Sequence, residues 1–305
     1  MNANALLISV ILPLVISSLT TLLAITICKR ASPTNRYATP VIALGWWLAT
    51  ATWLIAWRLG EGDGTSIAVW LRDIASWDFW QWAAATSFAA ALLLGSSAAG
   101  FRRTAAIRWV IAAILAMAIA AFSLPVGDSW QDALPAHRGW LPLLATAILL
   151  GWFAADSLAF RRTDRWFPLV ILATLAGPLI ATATTYATLA QYAVAAISAT
   201  LPIVAFAALG RLPAQVAIGA AYPAIALAAS LIAAGKFYSY EGHPWWSYVL
   251  MMAIPPVVAA ADWPLRNRNP SVRFIAAAVV ATALVAGAAT FQLLPSSNPA
   301  AGSWE

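Results

Sequence analysis

Ten long apolar runs, separated by short charged segments, pattern this chain from end to end. They occupy residues 5–28, 41–57, 83–100, 109–124, 141–160, 166–185, 192–210, 213–234, 246–261 and 274–294. Their hydrophobic positions are continuous, without the strict alternation that a membrane β-barrel strand requires. Most have the roughly 17–25 residues that a membrane-spanning helix needs. The pattern predicts an all-α, polytopic transmembrane helix bundle of about ten spans.

Trp166–Gly210 carries the most weight, because these 45 residues include no Asp, Glu, Lys, Arg or His. One helix of that length would be about 68 Å long, against a hydrocarbon core of about 30 Å. The stretch therefore reads as two spans with a turn near Tyr186–Gln191. Runs 109–124 and 246–261 are short, and the second contains Pro255-Pro256. A proline pair there predicts a broken or re-entrant segment, since proline lacks an N–H and interrupts a helix.

Charge placement gives the orientation. Thirteen basic residues lie after odd-numbered runs: Lys29, Arg30, Arg36, Arg102, Arg103, Arg108, Arg161, Arg162, Arg165, Arg211, Arg266, Arg268 and Arg273. Arg58, Arg72, Arg138 and Lys236 follow even-numbered runs, together with most of the acids. Lys and Arg mark cytoplasmic loops, so both termini are expected outside. Residues 1–305 are expected to form a single integral membrane domain. Met1–Leu22 has no basic n-region and no A-x-A cleavage site, and is expected to be a retained span. The cell membrane, of the bacterial inner-membrane type, is the expected location.

Composition agrees: 62% of residues are hydrophobic and 9% charged, with mean hydropathy +0.80. Soluble domains carry about 25% charged residues. The excess of +6 does not suggest nucleic acid here, because the basic residues sit where topology requires them. The single cysteine, Cys28, excludes an intrachain disulfide and a Cys-based metal cluster. Tryptophans and tyrosines gather at run edges (Trp46, Trp47, Trp57, Trp82, Trp140, Trp166, Trp245 among them) and read as a headgroup belt.

Three groups of residues could carry chemistry. In the sixth and eighth runs, Thr174, Pro178, Thr182 and Thr185, and then Gln215 and Tyr222, fall at helical spacing on polar faces. Kinked helices with polar faces can build a transporter's midplane site, although hydroxyls in membrane helices more often bond to their own helix. Asp156 is the one acid inside a run, and Arg161 and Arg162 are its nearest partners in sequence. The outward loops hold Asp128, Asp132, His137, Glu241 and His243, which could act in acid–base chemistry or metal binding if they converged. No nucleotide-binding, hydrolase, metalloprotease or haem motif is present.

No catalytic residue, metal or cofactor is therefore assigned. Membrane lipid is the expected partner, together with other membrane subunits. A translocator of a small molecule or lipid is preferred. A non-catalytic subunit of a membrane complex comes second, and an outward-facing enzyme acting on a lipid-linked substrate third.

Overall fold

The computed structural model describes residues 7–31, 37–60, 69, 72, 77, 80–95, 105–125, 134–162, 166–183, 185–238 and 243–293. Every regular element among them is helical. Helix α1 opens with a π turn, Leu7–Ile11, and continues as Leu12–Ala31. Then follow α2 (Ala38–Gly60), α3 (Trp82–Ala90, closing in the π turn Ala91–Gly95), α4 (Ala105–Phe122) and α5 (Leu134–Arg162). The second half comprises α6 (Phe167–Ala183), α7 (Ala187–Ala208), α8 (Ala214–Tyr238), α9 (Trp245–Met252), α10 (Ile254–Asp262) and α11 (Pro270–Leu293).

Six of these helices are long and apolar enough to cross a membrane, within α1, α2, α5, α7, α8 and α11. Three more apolar helices, Trp82–Gly95, Ala106–Phe122 and Phe167–Ala183, are shorter. The chain is an integral, multi-pass membrane protein. The uncharged stretch 166–210 does divide into two helices, but earlier than expected. Helix α6 ends at Ala183, and Tyr186 is extended ahead of α7. Thr185, expected on the helical face, lies in this turn instead.

The proline pair breaks the ninth run at Ala253, leaving α9 and α10. Pro255 and Pro256 supply no N–H to the carbonyls one turn earlier, so the helix cannot run through unaltered. Neither piece reaches spanning length alone. At the other extreme, α5 has 29 residues and begins well before the apolar run. Its helix tolerates Pro135 because the first turn has no N–H partner to lose. His137, expected in a loop, therefore lies in the first turn of α5.

Helix α8 is the axis of the bundle. It packs against α2, α3, α4, α5, α6, α7 and α9, and its whole apolar window is buried. Its sequence explains this position. Ala and Gly dominate, so neighbouring backbones approach closely. A Cβ on Gly219 would lie 2.5 Å from the Thr39 carbonyl oxygen of α2. A Cβ on Gly95 of α3 would lie 2.8 Å from the Gly219 carbonyl oxygen. At the far end, a Cβ on Gly235 would lie 2.5 Å from the Ala181 carbonyl oxygen of α6. Three helices thus touch α8 where it has no side chain.

The outer helices are different. Leu12, Val15, Leu19 and Leu23 of α1 are exposed, as are Val110 and Ile114 of α4 and Ile275 and Val279 of α11. Lipid chains are as apolar as leucine, so these faces suit the bilayer. Helix α1 is tied inward by Ser17, whose hydroxyl donates to the Ala199 carbonyl of α7 at 2.5 Å.

The tryptophans do not all form a belt. Trp46 is fully enclosed by the bundle and donates its indole N–H to the Thr200 hydroxyl of α7 at 2.9 Å. Trp47 donates to the Ala84 carbonyl of α3 at 2.9 Å. A buried indole needs such an acceptor. Trp245 and Trp263 are exposed, as a belt requires.

Candidate functional site

An ion pair inside the bundle brings α4, α5 and α8 together. Arg108, in the first turn of α4, directs its guanidinium at Asp156 of α5. Nη1 donates to Oδ2 at 2.8 Å and Nη2 to Oδ1 at 3.2 Å. Tyr222 of α8 completes the group: its hydroxyl donates to Asp156 Oδ1 and accepts from Arg108 Nη2. Only 12% of the Arg108 side chain and 16% of the Asp156 side chain remain exposed.

Aromatic rings hold the arginine. Its Cζ lies 5.1 Å from the Tyr222 ring centroid and 5.9 Å from that of Trp109. Such contacts contribute roughly 0.5–2 kcal/mol, more as water is excluded. Trp152, one turn before Asp156, donates its indole N–H to the Tyr222 carbonyl at 3.0 Å. Arg108 Nε is enclosed without a hydrogen-bond partner among the described residues. The result is a guanidinium in fixed orientation, with both terminal nitrogens engaged and Nε spare.

The sequence pointed to Asp156 and Tyr222 but missed their partner. By sequence, Arg108 belongs with the basic residues that set topology. Its place directly before run 109–124 was the available signal. The side chains of Arg161 and Arg162 lie outside those described.

The sixth-run face is more ordinary. Thr174 and Thr182 are buried, and their hydroxyls donate to Val170 and Pro178 carbonyls at 2.7 Å each. Thr185, half-buried in the turn, donates weakly to Ala181 and Thr182 carbonyls at 3.3 Å. Pro178 is enclosed within α6. Beside Thr174 lies a small cavity of about 10 Å³, walled by Ile148, Ile225, Ile232, Met251 and Pro255. That is room for roughly one water. Farther along α8, the Ser230 hydroxyl bonds with that of Ser123 at 2.7 Å. Gln215 is half-buried at the start of α8.

Of the outward-loop candidate residues, His243 is the one whose side chain is described. His243 is buried just before α9. Asp128, Asp132 and Glu241 lie outside the described residues, as does the side chain of His137. Among the described residues, no cluster of three or more His, Cys, Asp and Glu could hold a metal ion.

A second buried ion pair has another character. Arg273 of α11 grips Asp262 of α10 through Nε at 2.7 Å and Nη2 at 3.2 Å. Their side chains are 6% and 3% exposed. This pair closes the turn between the two helices.

Comparison with protein-family models, curated proteins and solved structures finds no match. The function is accordingly argued from the geometry of the chain.

Proposed function

We propose that the protein is a translocator of a small molecule or lipid, and that Arg108, Asp156 and Tyr222 form the latch closing its path at one end. The Arg108–Asp156 pair, bridged to the central helix by Tyr222, is the observation that carries this reading. Packing alone does not call for it. Replacing a buried ion pair with apolar residues of similar volume is often neutral or stabilising. Charge within a spanning segment is costly, and functional sites are where membrane proteins retain it. By the distribution of basic loops, the latch end is the cytoplasmic end of a ten-span bundle with both termini outside. The path would run along α8 from Tyr222 toward Thr174 and Thr182 on the facing helix α6. The location would be the cell membrane of a bacterium, with lipid as the surrounding partner.

Thiol labelling tests this. In a Cys28→Ser background, Thr174→Cys and Thr182→Cys should react with a membrane-impermeant thiol reagent, because reaction needs water-borne thiolate. Asp156→Asn should accelerate the reaction by releasing the latch. Leu172→Cys should remain unreactive. Protection of both threonine positions, with and without Asp156→Asn, would sink the translocator reading. A different observation, the bonding of each threonine hydroxyl to its own helix, favours the subunit reading, which would then replace it.

A further inference from the structure

We infer that Arg108 is a binding site for a carboxylate group, and that Asp156 occupies it as an internal competitor. The inference rests on the translocator reading only for the route by which the ligand arrives.

The contacts of Asp156 record what the site recognises. A planar carboxylate lies against the guanidinium fork, one oxygen on each terminal nitrogen, at 2.8 and 3.2 Å. Tyr222 adds a third donor to one of those oxygens. Fork geometry matches carboxylate bidentately, and the flanking rings keep the guanidinium from turning away. The site is thus preorganised for the headgroup, and little ordering remains for a ligand to impose.

Arg108 Nε distinguishes this pair from a finished structural one. A buried donor without a partner is unfavourable. A carboxylate arriving from the side would engage Nε and Nη2 together, satisfying the donor that Asp156 leaves unmet. In the Asp262–Arg273 pair, by contrast, Nε itself makes the shorter bond.

The surroundings suit a ligand with an apolar body. Ile111 and Phe153, each three residues from a member of the pair, are exposed, as are Val110 and Leu150. Trp109 packs on Phe153 with ring centroids 5.7 Å apart. A carboxylate could reach the fork from water or on a membrane-borne chain, and the recognising chemistry is the same for both.

The test is calorimetric titration of the full chain in neutral-lipid nanodiscs with acetate, decanoate, inorganic phosphate and choline. Asp156→Asn removes the competitor's charge and should bind a carboxylate about tenfold or more tightly than the unaltered protein, as expected when one charge-assisted contact no longer competes. Arg108→Lys keeps the charge but loses the fork, and should weaken wild-type binding by at least about tenfold. This arm holds even if Asp156→Asn fails to fold. Binding of acetate and decanoate alike indicates a soluble ligand, and binding of decanoate alone a membrane-borne one; either supports the site. Absence of carboxylate binding in both the unaltered protein and a folded Asp156→Asn variant would overturn it. So would equal binding of phosphate or choline, or full binding by Arg108→Lys. Thiol labelling decides translocation separately, so the two readings can fail independently.

Discussion

Trp152 of α5 donates its indole N–H to the main-chain carbonyl of Tyr222 in α8 at 3.0 Å, with the two rings 6.1 Å apart. One turn later, Asp156 of the same helix accepts from the hydroxyl of the same tyrosine. Helix α5 therefore holds Tyr222 at both ends, by backbone and by phenol. Trp152→Phe keeps the ring and removes the first of these bonds. Hydrogen bonds in membrane proteins average about 0.6 kcal/mol, with a maximum of about 1.7. Thermal unfolding in detergent should show a loss within that range and an intact fold. A loss several times larger would mean that the indole supports more than this carbonyl.

The ion pair gives a sharper test. Arg108→Met or Asp156→Leu alone leaves a charge enclosed without its partner, which costs roughly 3–5 kcal/mol. The double variant leaves no charge and should recover most of that stability. A double-mutant cycle by denaturation in mixed micelles measures the coupling. Additive losses would show that the two groups do not depend on each other.

Glycine packing around α8 makes a third prediction. Gly219→Ala and Gly235→Ala place a methyl against backbone oxygens that cannot swing aside. Overpacking of this kind costs typically about 1–3 kcal/mol. Gly287→Ala in α11 meets nothing within 4 Å. There alanine's better helix propensity should leave stability unchanged or raise it by up to about 1 kcal/mol. Yields and melting temperatures of the three purified variants should separate in that order. Equal behaviour would mean that α8 is not enclosed as described.

Topology can be read with reporter fusions. Fusions after Ser32, Thr104, Thr163 and Asn269 should report cytoplasmic, and those after Gly64, Ala133 and Glu305 external. A cytoplasmic signal at Glu305 combined with an external one at Gly64 would show that the chain beyond Gly64 crosses an odd number of times and not the expected eight. The α9–α10 break makes that half the more demanding test.

The sequence by itself determined the elements. Long uncharged runs must satisfy their backbone internally, and a helix does so with neighbours four residues away. The break at Pro255-Pro256 was legible for the same local reason, since a missing N–H acts on the carbonyl one turn back. The sequence also marked Asp156 as the one acid inside a run, and offered Arg161 and Arg162 as its ordinary partners. It placed Thr174 and Thr182 on one face of α6, as found, but could not say what that face met.

Tertiary structure decided which helices lie inside. The apolar windows of α8 and α11 both qualify as spans by composition, yet one is 100% and the other 17% buried. Hydropathy measures escape from water, and lipid and protein interior satisfy it equally. Trp46 illustrates the ambiguity: at a run edge it resembled a belt residue, and folding placed it against Thr200, 154 positions along the chain. Arg108 and Asp156 stand 48 residues apart, with Tyr222 another 66 beyond Asp156. Local periodicity has no term for such distances. Only the packing of α4 and α5 around an axis of small residues brings those three side chains to one point.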